Sequence, residues 1–372
     1  MIRTRKLGVR KLSITLITAL LATSVFSGAS FAASKSPKPK KPKIVKLATS
    51  DVVRIGFFSN VTHAPALVAQ ERKFFEKYLD KDKTKIEYIA FNAGPAAIEA
   101  LKGGALDVTY IGPNPSISGF ASTRGTLLKI ISGSTSNGAQ LVVREGINSV
   151  ADFAGKKIAS PQLGNTQDVA LRSWLASNGF KTSINGVGDV TVIPTENSQT
   201  LALFQRGDID GAWLPEPWAS RLVLEAKAKV FLDEKTLWPN SKFLTTNIIA
   251  SSTFLAKYPG TVKSILKGHL DSLVFINKNT VMATDDVQKQ ITKWSGKPLA
   301  DNVINRSWLN LGFSYEPLAA TLSKSADDAV DAGLLTNLGS KGLSGIYDLA
   351  LLNQILKEGK KKSVTSDGLG KE

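Results

Sequence analysis

Cysteine is absent from the 372-residue chain. That excludes disulfides, thiolate metal sites and thiol nucleophiles, and with them a lipoprotein anchored through a cysteine at its cleavage site. Histidine is scarce, since His63 and His269 stand alone and lack the spacing of a metal-binding pair. A Gly-x-Ser-x-Gly elbow, a phosphate-binding P-loop and a dinucleotide fingerprint are all missing. No cofactor or metal is therefore expected.

Acidic residues are absent from the first 46 positions, which hold 11 Lys and Arg. The tail from Lys357 onward has five Lys against three acids, so the formal charge of +16, less 11 and less 2, leaves +3 for the body. A nearly balanced body has no basic groove to track phosphates, and no nucleic-acid partner is expected. The N-terminus accounts for much of the excess. MIRTRKLGVRK is basic, LSITLITALLATSVF is an apolar run of 15 residues, and Ser30-Phe31-Ala32 places small residues where a signal peptidase reads. Residues 1–32 are expected to be an export signal cut after Ala32, because the run is shorter than the ~20 residues of a membrane span. Residues 33–50 contain SKSPKPKKPKIVK, whose lysines and prolines make an extended, self-repelling linker. The expected location is outside the cytoplasm, in a periplasm or at the outer face of the membrane or wall.

Strands and helices alternate through the body. Arg54–Phe58 and Ile86–Phe91 read as strands, Ala66–Tyr78 as a helix, and ALDVTYIGPNP as a third strand stopped by prolines. A second unit repeats the pattern, and GALDVTYIGPNP aligns with GDIDGAWLPEP so that Asp107 matches Asp210 and Tyr110 matches Trp213. After Leu255 the chain turns helical, over Pro259–Asn277, Thr284–Trp294, Asp301–Leu311, Pro317–Ala332 and Ser344–Lys357. The expected fold is α/β, with two similar lobes of mainly parallel sheet joined by two hinge strands, Leu141–Val143 paired with Thr245–Ala250, and a helical C-terminal extension. Lobe 1 is read as 51–139 and 245–357, lobe 2 as 140–244, and 358–372 as a disordered tail.

Ligands of open α/β sheets sit beyond the carboxyl ends of the strands, where helix starts expose unpaired N–H groups that hold anions without Lys or Arg. The loops there are rich in Ser, Thr, Asn, Gln, Gly and Pro. Asn165, Thr166 or Asp168 could cap a helix, but one residue suffices for a cap, and the surplus of Ser160, Gln162 and Gln167 points to ligand contact. Asn60 and Thr62 are either caps or contacts. His63 reads as a hydrogen-bonding residue before a helix, with a general base beside Glu216 or Asp168 as the enzymatic alternative. Trp213 and Trp218 either fill the core or, for Trp218 beside Glu216, face a ligand. Asp107 and Asp210 are read as orienting their turns, and His269 as facing solvent or a neighbouring helix.

FFSNVTHAPALVA, NAGPAAIEAL, DVTYIGPNP, SPQLGNTQDVALRSWL, GAWLPEPWASRLV and KSADDAVDAG together resemble the substrate-binding proteins of ABC importers for aliphatic sulfonates, taurine and nitrate. The resemblance runs from about Val53 to Leu335. It implies a type II periplasmic-binding-protein fold and a non-enzymatic monomer that delivers a small anionic or zwitterionic ligand to an ABC permease with its ATPase. It places ligand contacts on Ser59, Asn60, Thr62, His63, Asn92, Asn114, Ser132, Gln162, Asn165, Thr166, Gln167, Glu216 and Trp218. An aliphatic sulfonate or taurine is the expected ligand, with nitrate, bicarbonate or a pyrimidine precursor as alternatives. The related thiamine-pyrimidine synthases are set apart by their Cys-rich segment, which this chain lacks.

Overall fold

Helices cover both faces of the central strands, so the strands are apolar almost without alternation. In VVRIGFF, for example, every residue from Ile55 to Phe57 is buried. The structure, a computed structural model, describes residues 47–336 and 340–372. The expected export signal and residues 33–46 of the linker lie outside the described residues.

The first lobe opens with β1 (Val52–Phe58), α1 (Ala64–Glu71), the one-turn α2 (Glu76–Leu79) and β2 (Lys85–Phe91). It continues with α3 (Gly94–Lys102), β3 (Val108–Ile111), α4 (Pro113–Ser122) and β4 (Leu128–Asn137). Strand β5 (Ala139–Val143) carries the chain into β6 (Lys157–Ser160), α5 (Thr166–Ser177), β7 (Thr191–Pro194), α6 (Asn197–Arg206), β8 (Gly211–Pro215), α7 (Trp218–Ala226) and β9 (Lys229–Asp233). Strand β10 (Leu244–Ser251) returns it. The extension comprises α8 (Ser252–Lys257), α9 (Pro259–Lys278), α10 (Thr280–Ser295), α11 (Asp301–Leu309), β11 (Leu311–Phe313), α12 (Ala319–Asp331), β12 (Tyr347–Asp348), α13 (Ala350–Glu358) and β13 (Gly370–Lys371).

The two sheets share one plan. The first runs β2-β1-β3-β10-β4 before its additional edge strands, and the second runs β7-β6-β8-β5-β9. In both, the first three strands are parallel and the crossing strand, β10 or β5, lies antiparallel between two neighbours. Core packing in the second sheet follows the two-residue period of a strand. Leu141, Val143, Ile158 and Trp213 meet on one face, while Val142, Ala159, Ala212 and Leu214 meet on the other. Trp213 is thus a core residue, and its indole N–H donates to the buried Glu234 carboxylate at 2.7 Å.

Asp107 and Asp210 occupy equivalent positions and do equivalent work. The Asp107 carboxylate accepts the Arg54 N–H at 2.8 Å, and that of Asp210 accepts the Lys157 N–H at 2.9 Å. Their own backbones bond the same partners and also accept from the crossing strand, through Ser251 and Arg144. Each aspartate therefore locks three strands at their paired ends, a larger role than orienting a turn.

Several expectations are corrected. The two hinge strands do not pair with each other, because each is taken into the interior of a different sheet, β5 between β8 and β9 and β10 between β3 and β4. The segment after Glu358 is ordered: Asn353 donates to the Val364 carbonyl and accepts its N–H, Glu372 accepts from Thr365 and Ser366, and β13 pairs with β12. These bonds supply what the segment's composition does not. The helix expected from Ser344 begins only at Ala350, because Tyr347 and Asp348 join the sheet. The helix expected over Ala66–Tyr78 stops at Glu71, with Lys73 in the left-handed region. The extension does more than complete the first lobe, since α11 packs on α7 and α12 packs on both α4 and α5. His269 faces neither solvent nor a helix surface. It is fully buried against β3 and β4, with Nε2 donating to the Gly133 carbonyl and Nδ1 accepting from the Tyr110 hydroxyl.

Asp107→Ala and Asp210→Ala should each destabilise the protein by about 1.5–3 kcal/mol, the range for a hydrogen bond to a charged group. Urea unfolding followed by circular dichroism measures this, and losses below about 0.5 kcal/mol at both positions would remove the locking role.

Candidate functional site

The strand ends of both lobes face one small cavity of about 20 Å3, room for little more than a water-sized group. The β1–α1 turn contributes Phe58, Asn60, Thr62 and His63, and the next two strand ends contribute Asn92 and Gly112. The second lobe supplies Asn165, Thr166 and Gln167 at the start of α5, Asn197 at the start of α6, and Pro215 at the end of β8. Thr245 and Thr246 of the crossing strand β10 complete the lining. Helices α1, α3, α4, α5 and α6 all begin at residues on or beside this lining, so their partial positive ends converge on it.

The crowded junction ASPQLGNTQD divides into two sets. Asp168 is fully buried, accepting from the Ser160 hydroxyl at 2.6 Å, from the Gly164 N–H at 3.0 Å and from the Arg172 guanidinium at 3.1 Å. Gly164, at φ +76°, allows the turn this requires. Ser160, Asp168 and Arg172 therefore build the loop. Asn165 is the N-cap residue of α5, yet its side chain makes no capping bond. Asn165, Thr166 and Gln167 turn to the cavity instead. Thr166 Oγ1 and Asn197 Oδ1 are buried without a protein partner, a costly condition for polar atoms unless a ligand or water meets them.

His63 is neutral. Burial alone lowers its pKa to about 3. Its Nδ1 accepts the Phe58 N–H at 3.2 Å and its ring stacks on Phe58, so the proton resides on Nε2 and the imidazole is a hydrogen-bond donor toward the cavity. No residue of the described lining carries a charge, and no cluster of possible metal ligands occurs among the described residues.

Outside this cavity, an outer groove of about 530 Å3 runs between the lobes. Ser59 and Trp218 line it, and Asn60, Asn92 and Asn197 line both spaces. Four expected contacts lie elsewhere. Asn114 is drawn to α12, donating to the Ser325 carbonyl at 3.0 Å. Ser132 points along β4 and donates to the Gly133 carbonyl. Gln162 ties its loop to Glu196.

Glu216 is the fourth, fully buried at the foot of α7. Its carboxylate accepts from the Ser220 N–H, the Ser307 hydroxyl, Asn310 and the Arg306 guanidinium. It anchors α11 to the second lobe, and both of its oxygens are engaged there. The lining also includes Gly112, Asn197 and Pro215, from the strand-to-helix loops Gly112–Pro115, Thr195–Ser198 and Pro215–Trp218 where a ligand was expected, and Phe58, Thr245 and Thr246, which were not anticipated. Asn197 follows a strand and opens a helix, the same signal that marked Asn165. The two threonines lie in a strand, where Thr is ordinary.

The model of the NMT1-like family matches residues 48–288. A Brucella abortus (strain 2308) protein, provisionally named a binding protein, is 30% identical over 224 residues, covering 60% of this chain and 66% of that protein. This chain thus matches just under two thirds of that relative's length. The taurine-binding periplasmic protein of Escherichia coli (strain K12) is 25% identical over 243 residues, covering 64% of this chain and 71% of that one. Among solved structures, the alkanesulfonate-binding protein SsuA from Xanthomonas axonopodis pv. citri, bound to MOPS, superposes with a TM-score of 0.64 at 22% identity, covering 79% of this chain and 98% of that one. The likeness places the fold among periplasmic binding proteins.

The neutral imidazoles set a pH dependence. His63 and His269 are lowered to about 3 by burial, against about 6.5 when unfolded. Between these values the unfolded chain binds more protons. Stability is thus full above pH ~6.5 and falls toward pH 3, at about 1.4 kcal/mol per pH unit for each imidazole. Glu234, raised to about 7 by burial, acts with the opposite sign above its unfolded value. The readout is therefore the difference between parent and His63→Gln. The variant should show a shallower decline of urea midpoint between pH 7 and 5, and identical slopes would refute the neutral assignment.

Proposed function

The chain belongs to the NMT1-like family, and from that premise we propose that it is the substrate-binding protein of an ABC importer, holding a small oxyanion between its lobes. An aliphatic sulfonate or taurine is the ligand class this reading favours. The observation that carries this reading is the convergence of five helix starts on a lining that leaves Thr166 Oγ1 and Asn197 Oδ1 buried and unpartnered. Helix N-termini and neutral donors such as His63 Nε2–H hold an anion by hydrogen bonds, each strengthened by the anion's charge, without a paired cation. Micromolar affinity corresponds to about −8 kcal/mol, within reach of several such bonds in a dehydrated cleft.

Binding is favoured over catalysis because the groups an enzyme would use are engaged. His63 Nδ1 is held by the Phe58 N–H, and Asp168 and Glu216 are saturated away from the cavity. In this reading residues 51–139 and 245–357 form one lobe and 140–244 the other, and closure brings their strand ends together. The protein is a monomer, exported by residues 1–32 and spaced from the membrane or wall by residues 33–50, and it docks with a permease and its ATPase.

Mass spectrometry of small molecules released from protein purified without unfolding identifies the ligand. Calorimetry with taurine, alkanesulfonates, nitrate, bicarbonate and pyrimidines then ranks the candidates. A sulfonate or taurine is expected to bind most tightly, and binding of none of them would sink the proposal. Thr166→Ala should weaken binding about tenfold, the worth of one charge-assisted hydrogen bond. Gly112→Ala tests closure, because an added Cβ would stand 2.4 Å from Thr166 Oγ1 across the cleft. It should lower affinity at least about tenfold by overpacking the closed state, and unchanged affinity would show that the lobes need not meet there.

A further inference from the structure

We propose that Trp218 and Asn60 form a partition across the mouth of the cavity and select ligands by length. This rests on the oxyanion-receptor reading of the same site. Trp218 opens helix α7 in the second lobe, and Asn60 lies in the β1–α1 turn of the first. The indole Nε1–H donates to Asn60 Oδ1 at 2.9 Å. The bond joins residues 158 positions apart, so it is a contact between lobes and not a local turn.

Its location gives it the role. Asn60 lines both the inner cavity and the outer groove, whereas Trp218 lines the groove alone. The bonded pair therefore stands where the two spaces adjoin. Inside, about 20 Å3 leaves room for little more than a water-sized group, so only a compact polar head can be drawn in; outside, about 530 Å3 is walled by Phe91, Ile291, Trp294 and Leu299 together with the charged Glu196, Arg221, Glu225 and Lys297. Asn60, Asn92 and Asn197 line both spaces, and a tail that leads from a head in the cavity into the groove beside Asn60 meets the indole and its bond.

The indole is also held by Arg221, itself part of the groove lining. The Arg221 guanidinium lies 5.4 Å from its ring centroid and is itself fixed by Glu225 at 3.0 Å. Swinging Trp218 aside thus disturbs a cation–ring contact as well as a hydrogen bond. The parent protein should consequently prefer short sulfonates, and disrupting the pair should join the two spaces and relax that preference.

The test is isothermal calorimetry of the protein and its Trp218→Phe and Trp218→Ala variants with methane-, ethane-, butane- and hexanesulfonate. The parent is expected to bind methane- or ethanesulfonate at least about tenfold more tightly than hexanesulfonate, the cost of one displaced hydrogen bond and its contacts. Trp218→Phe keeps a ring and removes the N–H, and it should shrink that ratio several-fold. Trp218→Ala should shrink or invert it. The parent's own length profile keeps the proposal testable if a variant fails to fold. Equal or tighter binding of hexanesulfonate by the parent overturns the partition, as does an unmoved ratio in a folded variant, and both leave the receptor reading intact. Binding of no sulfonate by the parent overturns the partition and the sulfonate assignment, and the receptor reading falls with them only if taurine, nitrate, bicarbonate and pyrimidines also fail to bind.

Discussion

Two crossing strands, β5 and β10, govern the architecture, because each lies in the interior of a sheet with neighbours bonded on both sides. A buried strand cannot leave such a position without orphaning its N–H and C=O groups. The chain's passage between lobes is therefore fixed at two places, and the carboxyl ends of the parallel strands are made to face each other. Asp107 and Asp210 reinforce this by bonding the neighbouring strand at the same relative position in each sheet. The helix starts that follow those strands converge as a consequence.

Most of the buried polar groups near the cleft serve the frame. Ser160, Asp168 and Arg172 hold one loop, Asn114 holds α12, and Glu216 gathers α7 and α11 around a saturated carboxylate. With these groups set apart, the cavity lining holds a smaller set of neutral donors and acceptors: Asn60, Thr62, His63, Asn92, Asn165, Thr166, Gln167 and Asn197. Their neutrality follows from depth. An unpaired cation so buried would carry a large desolvation penalty, whereas helix ends supply positive potential without a formal charge.

The sequence was most legible where local chemistry repeats. Strand-loop-helix units, glycine after a helix, proline after a strand and the paired Asp107 and Asp210 all announced the two-lobe plan. It was least legible where a polar residue has two plausible partners. Asn165 and Asp168 are three positions apart at one helix start and equally suited to capping, yet only Asp168 is taken up by the loop, because Ser160 and Arg172 fold back onto it. Glu216 was misread because Arg306 and Asn310, 90 and 94 residues onward, meet it only in the folded chain. The segment beyond Glu358 was misread for a similar reason: its few polar bonds come from Asn353 and its own terminus.

What the sequence by itself determined is the kind of protein this is: an α/β chain with no thiol, no cofactor motif and polar loops at every strand-to-helix junction. Composition, periodicity and turn chemistry act over a few residues and can be read there. Which of those polar groups face the cavity was decided only by the tertiary structure. A hydrogen bond needs its partner within about 3 Å and correctly aimed, and for Glu216, Asn60 and Trp218 that partner lies some ninety to more than one hundred and fifty residues away.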